Sequence, residues 1–350
     1  MAYTTIDDPE AHFQVVTYTG NGSANNAITL PGDTDMQPDL VWIKNRDATD
    51  RHSLFDNVRG ATKLLSPDST DTETTDTDTL DSFTSDGFQV DADVKVNTNA
   101  EKYVAWCWKG ANGTATNTAG DIDSTVSVNT TSGVSIIKAD TTDETGDLTM
   151  GHGLGIVPQM LWWKNLGDDG QNWQVYHIGT TSGLMRLNDT NVRNADVTFW
   201  NTHTTTLIDI ASHMYVQNGG HRVFVGYVFA PVQGFSKFGT YEGNGNANGT
   251  FINLGFKPMY FLLKSSSHGE SWSIYDIKRQ TYNPVSYYFP AANSNAAEAT
   301  SASYAMDFLS NGIKLRGNGT GINGSGYTYI YAAFAEAPFV NSNGVPCTAR

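Results

Sequence analysis

One short pattern occurs three times in this chain, and it constrains the fold more than any other feature. It reads Pro-Asp-Leu-Val-Trp-Ile-Lys-Asn at 38–45, Pro-Gln-Met-Leu-Trp-Trp-Lys-Asn at 158–165 and Pro-Met-Tyr-Phe-Leu-Leu-Lys-Ser at 258–265. The second copy lies 120 residues after the first, and the third lies 100 residues after the second. A period of this length is too long for a solenoid repeat and suits a small domain copied in tandem.

Two further stretches recur in step with this pattern. A second apolar stretch follows each lysine, at 52–56, 173–177 and 272–276, and an aromatic stretch closes each repeat, at 103–108, 224–229 and 329–334. The first and third repeats also share the signals Tyr-x-Gly-Asn-Gly and Phe-x-Ser-Asp/Asn-Gly, which the second repeat lacks in clear form. The second repeat is therefore the divergent copy.

The residues within these stretches favour strands. Apolar residues alternate with a period of two, and Val, Ile, Thr, Tyr, Phe and Trp dominate, as in strands with one buried face. Asn-Gly, Asp-Gly and Gly-Asn pairs between the stretches are typical of tight hairpins. The only candidate helix is a short one over 56–65, where a loop is an equal alternative. We expect an all-β chain of three tandem antiparallel β-sandwich domains resembling jelly rolls.

The repeats set the expected domain boundaries. The first sandwich covers residues 1–110, a small and polar linker follows at 111–126, and the divergent second sandwich covers 127–233. The third sandwich covers 234–350 and ends in a C-terminal tail. Because only the short stretch 231–234 links the second and third repeats, we expect them to pack against each other.

Charge and composition exclude several classes of partner. The net charge is −15, with 21 basic and 36 acidic residues, so the chain lacks the basic surface expected of a nucleic-acid binder. The same charge disfavours an anionic membrane. No apolar run is long enough to insert into a membrane, and the first ten residues have no secretory signal. Of the two cysteines, Cys107 and Cys347, we expect free thiols rather than a disulfide, although the bridge stays an alternative.

The chain shows no recognisable catalytic motif. It lacks a Gly-x-Ser-x-Gly elbow, a Walker loop and a dinucleotide-binding fingerprint, so we predict no enzyme, no cofactor and no catalytic residues. The eight histidines are scattered and cysteines are few, so we predict no metal site. Asp56 and Asp276 occupy matching positions of the first and third repeats, where the second has His177. We interpret them as turn or sheet-edge residues; a catalytic pair is the alternative.

Three other features each have a structural and a functional interpretation. Lys44, Lys164 and Lys264 recur in all repeats; we interpret them as strand-end lysines with solvated ammonium groups, and a ligand-binding cation is the alternative. The stretch 66–82, rich in Asp and Thr, predicts a solvated loop, with a cation site as the alternative. Most of the 40 aromatic residues should fill cores, and Trp200, outside the repeated positions, is the candidate for stacking on a sugar ring.

Several of these motifs resemble a repeat of virion proteins from marine tailed bacteriophages. They are Pro-Asp-Leu-Val-Trp-Ile-Lys-Asn-Arg at 38–46, Asp-Asn-Val-Arg-Gly-Ala at 56–61, Phe-Thr-Ser-Asp-Gly-Phe at 83–88, Tyr-Val-Ala-Trp-Cys-Trp-Lys at 103–109, Tyr-Ile-Tyr-Ala-Ala-Phe-Ala-Glu-Ala-Pro-Phe at 329–339 and Asn-Gly-Val-Pro-Cys-Thr-Ala-Arg at 343–350. The resemblance covers the first and third repeats and reaches the second only at its Trp-Trp-Lys-Asn and closing strands. It implies concanavalin-like or jelly-roll modules on tail fibres, tails or heads, and it implies no catalytic residues.

The resemblance and the composition lead to one expected function with two alternatives. We expect a non-enzymatic structural protein of a virion, assembled in the host bacterial cytoplasm, in a fibre, a tail or the head surface. Its expected partners are other virion proteins, further copies of itself in a trimer or ring, and a host surface glycan or protein. The alternatives are a capsid decoration protein without a host ligand and a tail-associated polysaccharide depolymerase.

Overall fold

The computed structural model describes residues 2–141, 146–167, 170–180, 183–211, 222–288 and 292–347. Within this part of the chain nearly all regular structure is strand. Among the described residues the two α-helices are single turns, α1 at Val94–Asn97 and α2 at Thr320–Asn323. The segment 56–65, expected as a helix or a loop, instead contains a strand, because Gly60–Leu65 pairs with the strand before it.

The first repeat contains two sheets. Its strands are β1 Phe13–Thr19, β2 Asn26–Thr29, β3 Leu40–Asn45, β4 Ser53–Asp56, β5 Gly60–Leu65, β6 Thr74–Thr75, β7 Leu80–Thr84, β8 Gly87–Val90 and β9 Lys102–Trp108. The main sheet has the order β1-β9-β3-β4-β5-β6, and the smaller sheet has the order β2-β8-β7.

The second repeat follows the same plan with extra strands at one edge. Its strands are β10 Ala115–Asn117, β11 Ser124–Asn129, β12 Val134–Asp140, β13 Leu148–Gly151, β14 Met160–Asn165, β15 Gln174–His177, β16 Met185–Arg186, β17 Leu207–Ile210 and β18 Val223–Phe229. The main sheet has the order β10-β11-β12-β18-β14-β15-β16, and β13 pairs with β17. Residues 111–126, expected as a linker, contain β10 and the start of β11. Their small polar side chains suit an exposed edge hairpin as well as a linker.

The third repeat resembles the first. Its strands are β19 Ser236–Glu242, β20 Phe251–Asn253, β21 Phe256–Ser265, β22 Ser273–Asp276, β23 Tyr287–Tyr288, β24 Ala299–Thr300, β25 Met306–Leu309, β26 Gly312–Leu315 and β27 Thr328–Pro338. The main sheet has the order β19-β27-β21-β22, the smaller sheet has the order β20-β26-β25, and β23 pairs with β24.

The three main sheets share four antiparallel strands in the same order and register. These are β1-β9-β3-β4, β12-β18-β14-β15 and β19-β27-β21-β22. The register pairs Leu40 with Trp108, Met160 with Phe229 and Tyr260 with Phe334. The Pro-led pattern therefore occupies the third of these four shared strands in every main sheet and pairs with the closing aromatic strand.

A shared signal of the first and third repeats has a steric reason. Gly87 and Gly312 are the glycines of Phe-x-Ser-Asp/Asn-Gly and open β8 and β26. A Cβ at Gly87 would lie 2.0 Å from the carbonyl oxygen of Ile28, and one at Gly312 would lie 2.1 Å from that of Ile252. Only glycine permits the neighbouring strand to approach this closely.

Alternate faces of the first and second main sheets enter two different cores, whereas both faces of the third main sheet belong to one continuous core. One face packs on the smaller sheet of its own repeat: Val41 and Ile43 meet Phe88 in the first repeat, and Leu161 and Trp163 meet Ile208 in the second. The opposite faces of all three main sheets join in one shared core. It includes the following large side chains: Trp42, Trp106, Trp108, Trp162, Phe229, Tyr260 and Phe334.

Equivalent residues of the three repeats meet at the centre of this shared core. The ring centroids of Trp108 and Phe229 are 6.2 Å apart, those of Trp108 and Phe334 are 5.8 Å apart, and those of Phe229 and Phe334 are 5.9 Å apart. Because each side chain contacts the other two at similar distances, the repeats surround a quasi-threefold axis. The predicted all-β antiparallel sandwich fold is confirmed, and the repeats pack as a closed ring.

Candidate functional site

The three recurring lysines are buried, and two of them reach a neighbouring repeat. The prediction of solvated ammonium groups is wrong, because Lys44, Lys164 and Lys264 are all fully buried. Nζ of Lys164 donates hydrogen bonds to the carbonyl oxygens of Gln171 at 2.6 Å and Thr70 at 2.9 Å. Backbone carbonyls replace the water that a strand-end lysine would otherwise keep, so burial of the ammonium group is tolerated.

The lysine contacts join neighbouring repeats in a fixed direction. Lys164 of the second repeat reaches Thr70 of the first, and Lys264 of the third repeat donates to the carbonyl oxygen of Thr190 of the second at 3.1 Å. Burial lowers the pKa of Lys44 to about 8 and that of Lys264 to about 8. We name the contact regions the first seam (repeats one and two), the second seam (two and three) and the third seam (three and one).

The first residue of the second apolar stretch in each repeat makes a hydrogen bond across a seam. Nε1 of Trp173 donates to the carbonyl oxygen of Ser66 at 3.0 Å, and Nε1 of Trp272 donates to that of Arg186 at 2.9 Å. In the first repeat His52 has this role, with Nε2 3.1 Å from the carbonyl oxygen of Ser294 in the third repeat. The same relation runs through all three seams, so the ring is closed within one chain.

Asp56 and Asp276 lie in similar buried networks rather than in a cleft. Oδ1 of Asp56 accepts from the backbone N–H groups of Val58 and Arg59, and Oδ2 accepts from Nε of Arg59 at 2.5 Å. Oδ2 also accepts from the hydroxyl of Tyr227 in the second repeat at 2.7 Å. All of these side chains are buried, so the carboxylate of Asp56 connects two repeats and faces no surface cleft.

The third repeat reproduces this network with a different donor from its neighbour. Oδ2 of Asp276 accepts from Nε of Arg279 at 2.6 Å and from Nε1 of Trp106 in the first repeat at 3.1 Å. Trp106 and Tyr227 occupy equivalent positions of β9 and β18. Sequence reasoning missed these donors, although the spacing Asp-x-x-Arg at 56–59 and 276–279 was a signal for the arginines.

The second repeat departs from the pattern because its neighbour offers no side-chain donor. The position equivalent to Trp106 and Tyr227 is Ala332 in the third repeat, which has no polar side chain. Here His177 replaces the acid, with Nε2 3.0 Å from the carbonyl oxygen of Tyr331. Nδ1 accepts from the backbone N–H of Gly179, so the network assigns the proton to Nε2. Burial lowers the pKa of His177 to about 4.

An ion-pair network completes the third seam. Glu298 of the third repeat pairs with Arg279 of its own repeat at 2.9 Å and with Arg46 of the first repeat at 2.8 Å. The backbone N–H of Glu298 also donates to the carbonyl oxygen of Arg46 at 2.9 Å. This seam joins residues 252 positions apart, so no nearby chain connection holds it.

The structure places Trp200 in the core of the second repeat, which corrects its proposed role in sugar stacking. Only 3% of its surface is exposed, and its indole packs against Phe199 and Tyr176. Nε1 donates to the carbonyl oxygen of Val175 at 3.2 Å. Neither face of the ring is available to a ligand.

Of the eight histidines in the sequence, His213 and His221 lie outside the described residues.

One protein family matches the part of the chain that forms the ring. The model of a family described as a domain of unknown function, DUF7483, matches residues 8–338. The chain belongs to this family. In this DUF7483 member the match begins just before β1 and ends with β27, so the family's unit includes all three repeats and all three seams. A search of curated proteins and a search of solved structures each gave no match.

The acidic stretch 66–82 of this DUF7483 member is partly anchored in the first seam. Ser66 and Thr70 accept hydrogen bonds from the second repeat, and Glu73 pairs with Arg59 at 3.1 Å. The predicted loop also contains β6 and the start of β7. Burial raises the pKa of Asp68 to about 6. Among the described residues, no three His, Cys, Asp or Glu side chains converge on a possible metal position.

The remaining expectations concern thiols and membranes. Cys107 is a buried free thiol whose pKa is raised by burial, and Cys347 is an exposed free thiol. Over the described ranges, the helices are too short and too polar to cross a membrane.

Proposed function

We propose that this chain is a non-enzymatic structural protein of a bacteriophage particle, located in a fibre, a tail or the head surface. The observation that carries the proposal is the resemblance of the motifs at 38–46, 83–88, 103–109 and 329–339 to virion proteins. Partners are then other virion proteins, and assembly takes place in the host cytoplasm. Contact with a host surface glycan is part of the proposal.

The packing of these motifs supports a structural role. Trp42, Trp106 and Trp108 of these motifs are buried in the shared core, Tyr103 is buried in the core of the first repeat, and the lysines of the three Pro-led strands are buried. Catalytic residues need access to substrate. Here the recurring side chains instead stabilise a ring whose outer loops remain available for contacts.

A specific observation favours capsid decoration as a second candidate. A single chain presents three similar units around a quasi-threefold axis, with Trp108, Phe229 and Phe334 at the centre. Such a chain matches the local symmetry of a threefold position on an icosahedral shell without forming a homotrimer. A decoration protein would then occupy each threefold position as one copy.

Localisation in purified particles tests the proposal. Antibodies against the chain, imaged by electron microscopy on intact particles, should label one defined structure, and quantitative mass spectrometry should give its copy number. A few copies at the tail indicate a fibre or tail component, whereas a copy number matching the threefold positions indicates decoration. Absence of the chain from purified particles contradicts both candidates.

Two solution assays separate attachment from the other functions. Folded protein added in excess should reduce adsorption of phage to its host if the chain contacts the cell surface, and thermally unfolded protein is the control. Host polysaccharide incubated with the protein should keep its viscosity. A fall in viscosity would show depolymerase activity and contradict the non-enzymatic assignment.

A further inference from the structure

The second repeat carries a surface cavity of about 500 Å³ on one loop. The loop runs from Leu184 to Asp196, and its walls include Arg186, Asp189, Asn191 and Asn194. A cavity of this size lies in the range of about 300–1,000 Å³ that small-molecule sites occupy. We name it the loop cavity.

Hydrogen bonds within the loop and to the third repeat hold its backbone, and the N–H groups of Asn191 and Asp196 donate to Oδ1 of Asp189 and Oδ1 of Asn194. Leu184 and Asn194 exchange two backbone hydrogen bonds of 2.8 and 2.9 Å, which close the base of the loop. The second seam holds its middle, because the carbonyl oxygen of Thr190 accepts from Lys264 and the N–H of Arg193 donates to Ser266. A loop ordered in this way loses little conformational entropy when a ligand binds.

The side chains of the loop cavity suit hydroxyl groups. Asp189 accepts from Nη1 of Arg186 at 3.4 Å and from Nδ2 of Asn191 at 2.9 Å, and these contacts fix the planar groups beside one another. The remaining N–H groups of Arg186, the carboxylate of Asp196, Oδ1 of Asn191 and Nδ2 of Asn194 offer donors and acceptors to a ligand. Asn191, Asn194 and Asp196 are exposed. Vicinal hydroxyls, which donate and accept from neighbouring carbons, match this mixture of adjacent planar groups.

The charge and the apolar surface of the loop cavity further restrict the chemical class of the ligand. Two arginines, Arg186 and Arg193, balance Asp189 and Asp196 in the lining, so the cavity has no net formal charge and does not select a polyanion. Val192 is 42% exposed at the rim and offers an apolar surface to the C–H face of a pyranose ring. A phosphorylated or strongly acidic ligand would meet two carboxylates without a surplus of cations.

We propose that the loop cavity binds a neutral, hydroxyl-rich saccharide through Arg186, Asn191, Asn194 and Asp196. The inference rests on the proposed function, because it gives a position and a ligand class to the contact with a host glycan. It moves that contact from Trp200, which is buried beneath the second repeat's surface, to the loop just before it.

The test is saturation-transfer NMR of the full chain with neutral probes. Glucose, galactose, mannose and N-acetylglucosamine, each also as a disaccharide, are titrated to about 50 mM, with sialyllactose as the anionic probe. We expect at least one neutral saccharide to bind. The double variant Asn191→Ala/Asp196→Ala should weaken that binding at least tenfold. The matched control is Asp35→Ala/Asn248→Ala, which removes two exposed side chains of the same types from other repeats and should leave binding unchanged.

The outcomes separate this inference from the proposed function. Failure of every neutral probe to bind, binding of sialyllactose alone, or full binding by the Asn191→Ala/Asp196→Ala variant overturns the loop cavity as a saccharide site. Circular dichroism checks that each variant is folded, and if the double variant is unfolded the single variant Asp196→Asn takes its place. A protein that is present in particles and binds no sugar refutes only this inference. One that binds sugar and is absent from particles refutes only the proposed function.

Discussion

The hydroxyl of Tyr227 donates a 2.7 Å hydrogen bond to Oδ2 of Asp56, across 171 residues of chain and across the first seam. Both side chains are buried, and the same oxygen binds Nε of Arg59. The pair shows how the repeats depend on each other, since an acid of one repeat receives its last donor from the next.

Removal of this donor should destabilise the ring. In Tyr227→Phe the carboxylate of Asp56 stays buried and loses one charge-assisted hydrogen bond, so we expect the free energy of unfolding to fall by about 1–3 kcal/mol. Urea unfolding followed by tryptophan fluorescence measures the change. The control is Tyr282→Phe, because Tyr282 is 68% exposed and should alter stability by less than about 0.5 kcal/mol. Equal effects of the two variants would contradict the role of the seam.

Replacing His177 by the aspartate that the other two repeats have at this position should lower the stability of the fold. In His177→Asp a buried carboxylate would face the carbonyl oxygen of Tyr331 beside Ala332, and neither supplies a donor. We expect a loss of at least about 3 kcal/mol at neutral pH, which becomes smaller in acid as the new carboxyl group takes up a proton and can donate. Unfolding measured at pH 7 and pH 4.5 tests this. A variant as stable as the natural chain at pH 7 would show that repeat identity, not the neighbour, decides this position.

Loss of a seam lysine should loosen the acidic stretch. Lys164→Met leaves the carbonyl oxygens of Thr70 and Gln171 without this donor, so the segment near Thr70 should open more often. We expect faster amide hydrogen exchange around residues 66–73 and little change in the third repeat. Lys102→Met, at an exposed position, is the matched control. Unchanged exchange in Lys164→Met would mean that other contacts alone hold the stretch.

Acid should weaken the ring through two buried histidines. Burial lowers the pKa of His177 to about 4 and that of His203 to about 4, from an ordinary value of 6.5. Between these values the unfolded chain binds protons that the folded chain does not, so stability falls as the pH drops from about 6.5 to about 4. The loss is about 3 kcal/mol per histidine. Asp68, whose pKa is raised to about 6, contributes with the opposite sign between about 4 and 6.

Variants isolate the histidine contribution to this pH dependence. His177→Gln and His203→Gln cannot titrate, so each should reduce the slope of unfolding free energy against pH between 4 and 6.5. Asn248→Gln, which exchanges one non-titrating side chain for another at an exposed position, should leave the slope unchanged. An unaltered slope in both buried variants would contradict the assignment.

The shared core implies that one repeat does not fold by itself. Residues 1–110 expressed alone would expose Trp42, Trp106 and Trp108, which are fully buried in the whole chain. We expect this fragment to lack cooperative unfolding and to aggregate, which near-ultraviolet circular dichroism and analytical ultracentrifugation can measure. A monomeric fragment with cooperative unfolding would instead support three independent domains, as the domain boundaries predicted from the sequence imply.

Local pattern alone was enough to predict the strands and their equivalence. The Pro-led motifs predict β3, β14 and β21, and the closing aromatic stretches predict β9, β18 and β27, because alternation with a period of two follows from strand geometry itself. The glycine shared by the motifs at 83–88 and 308–313 was also evident from the sequence, although its steric reason required the structure. A repeat unit, a sheet-rich class and an aromatic interior therefore follow from local chemistry.

Only the tertiary structure showed what the second face of each main sheet packs against. A strand pattern shows that Trp106 and Trp108 share a face. It cannot show that this face packs on the other repeats, since that depends on contacts between residues far apart in the chain. For the same reason Lys164 was predicted to be solvated, and Trp200 to be exposed, from composition that suits either environment. Only the structure explains why the second repeat has His177 where the other repeats have aspartate. The neighbouring repeat supplies Ala332 rather than a hydrogen-bond donor there, and a buried polar group needs a matching partner, which its own segment of sequence does not reveal.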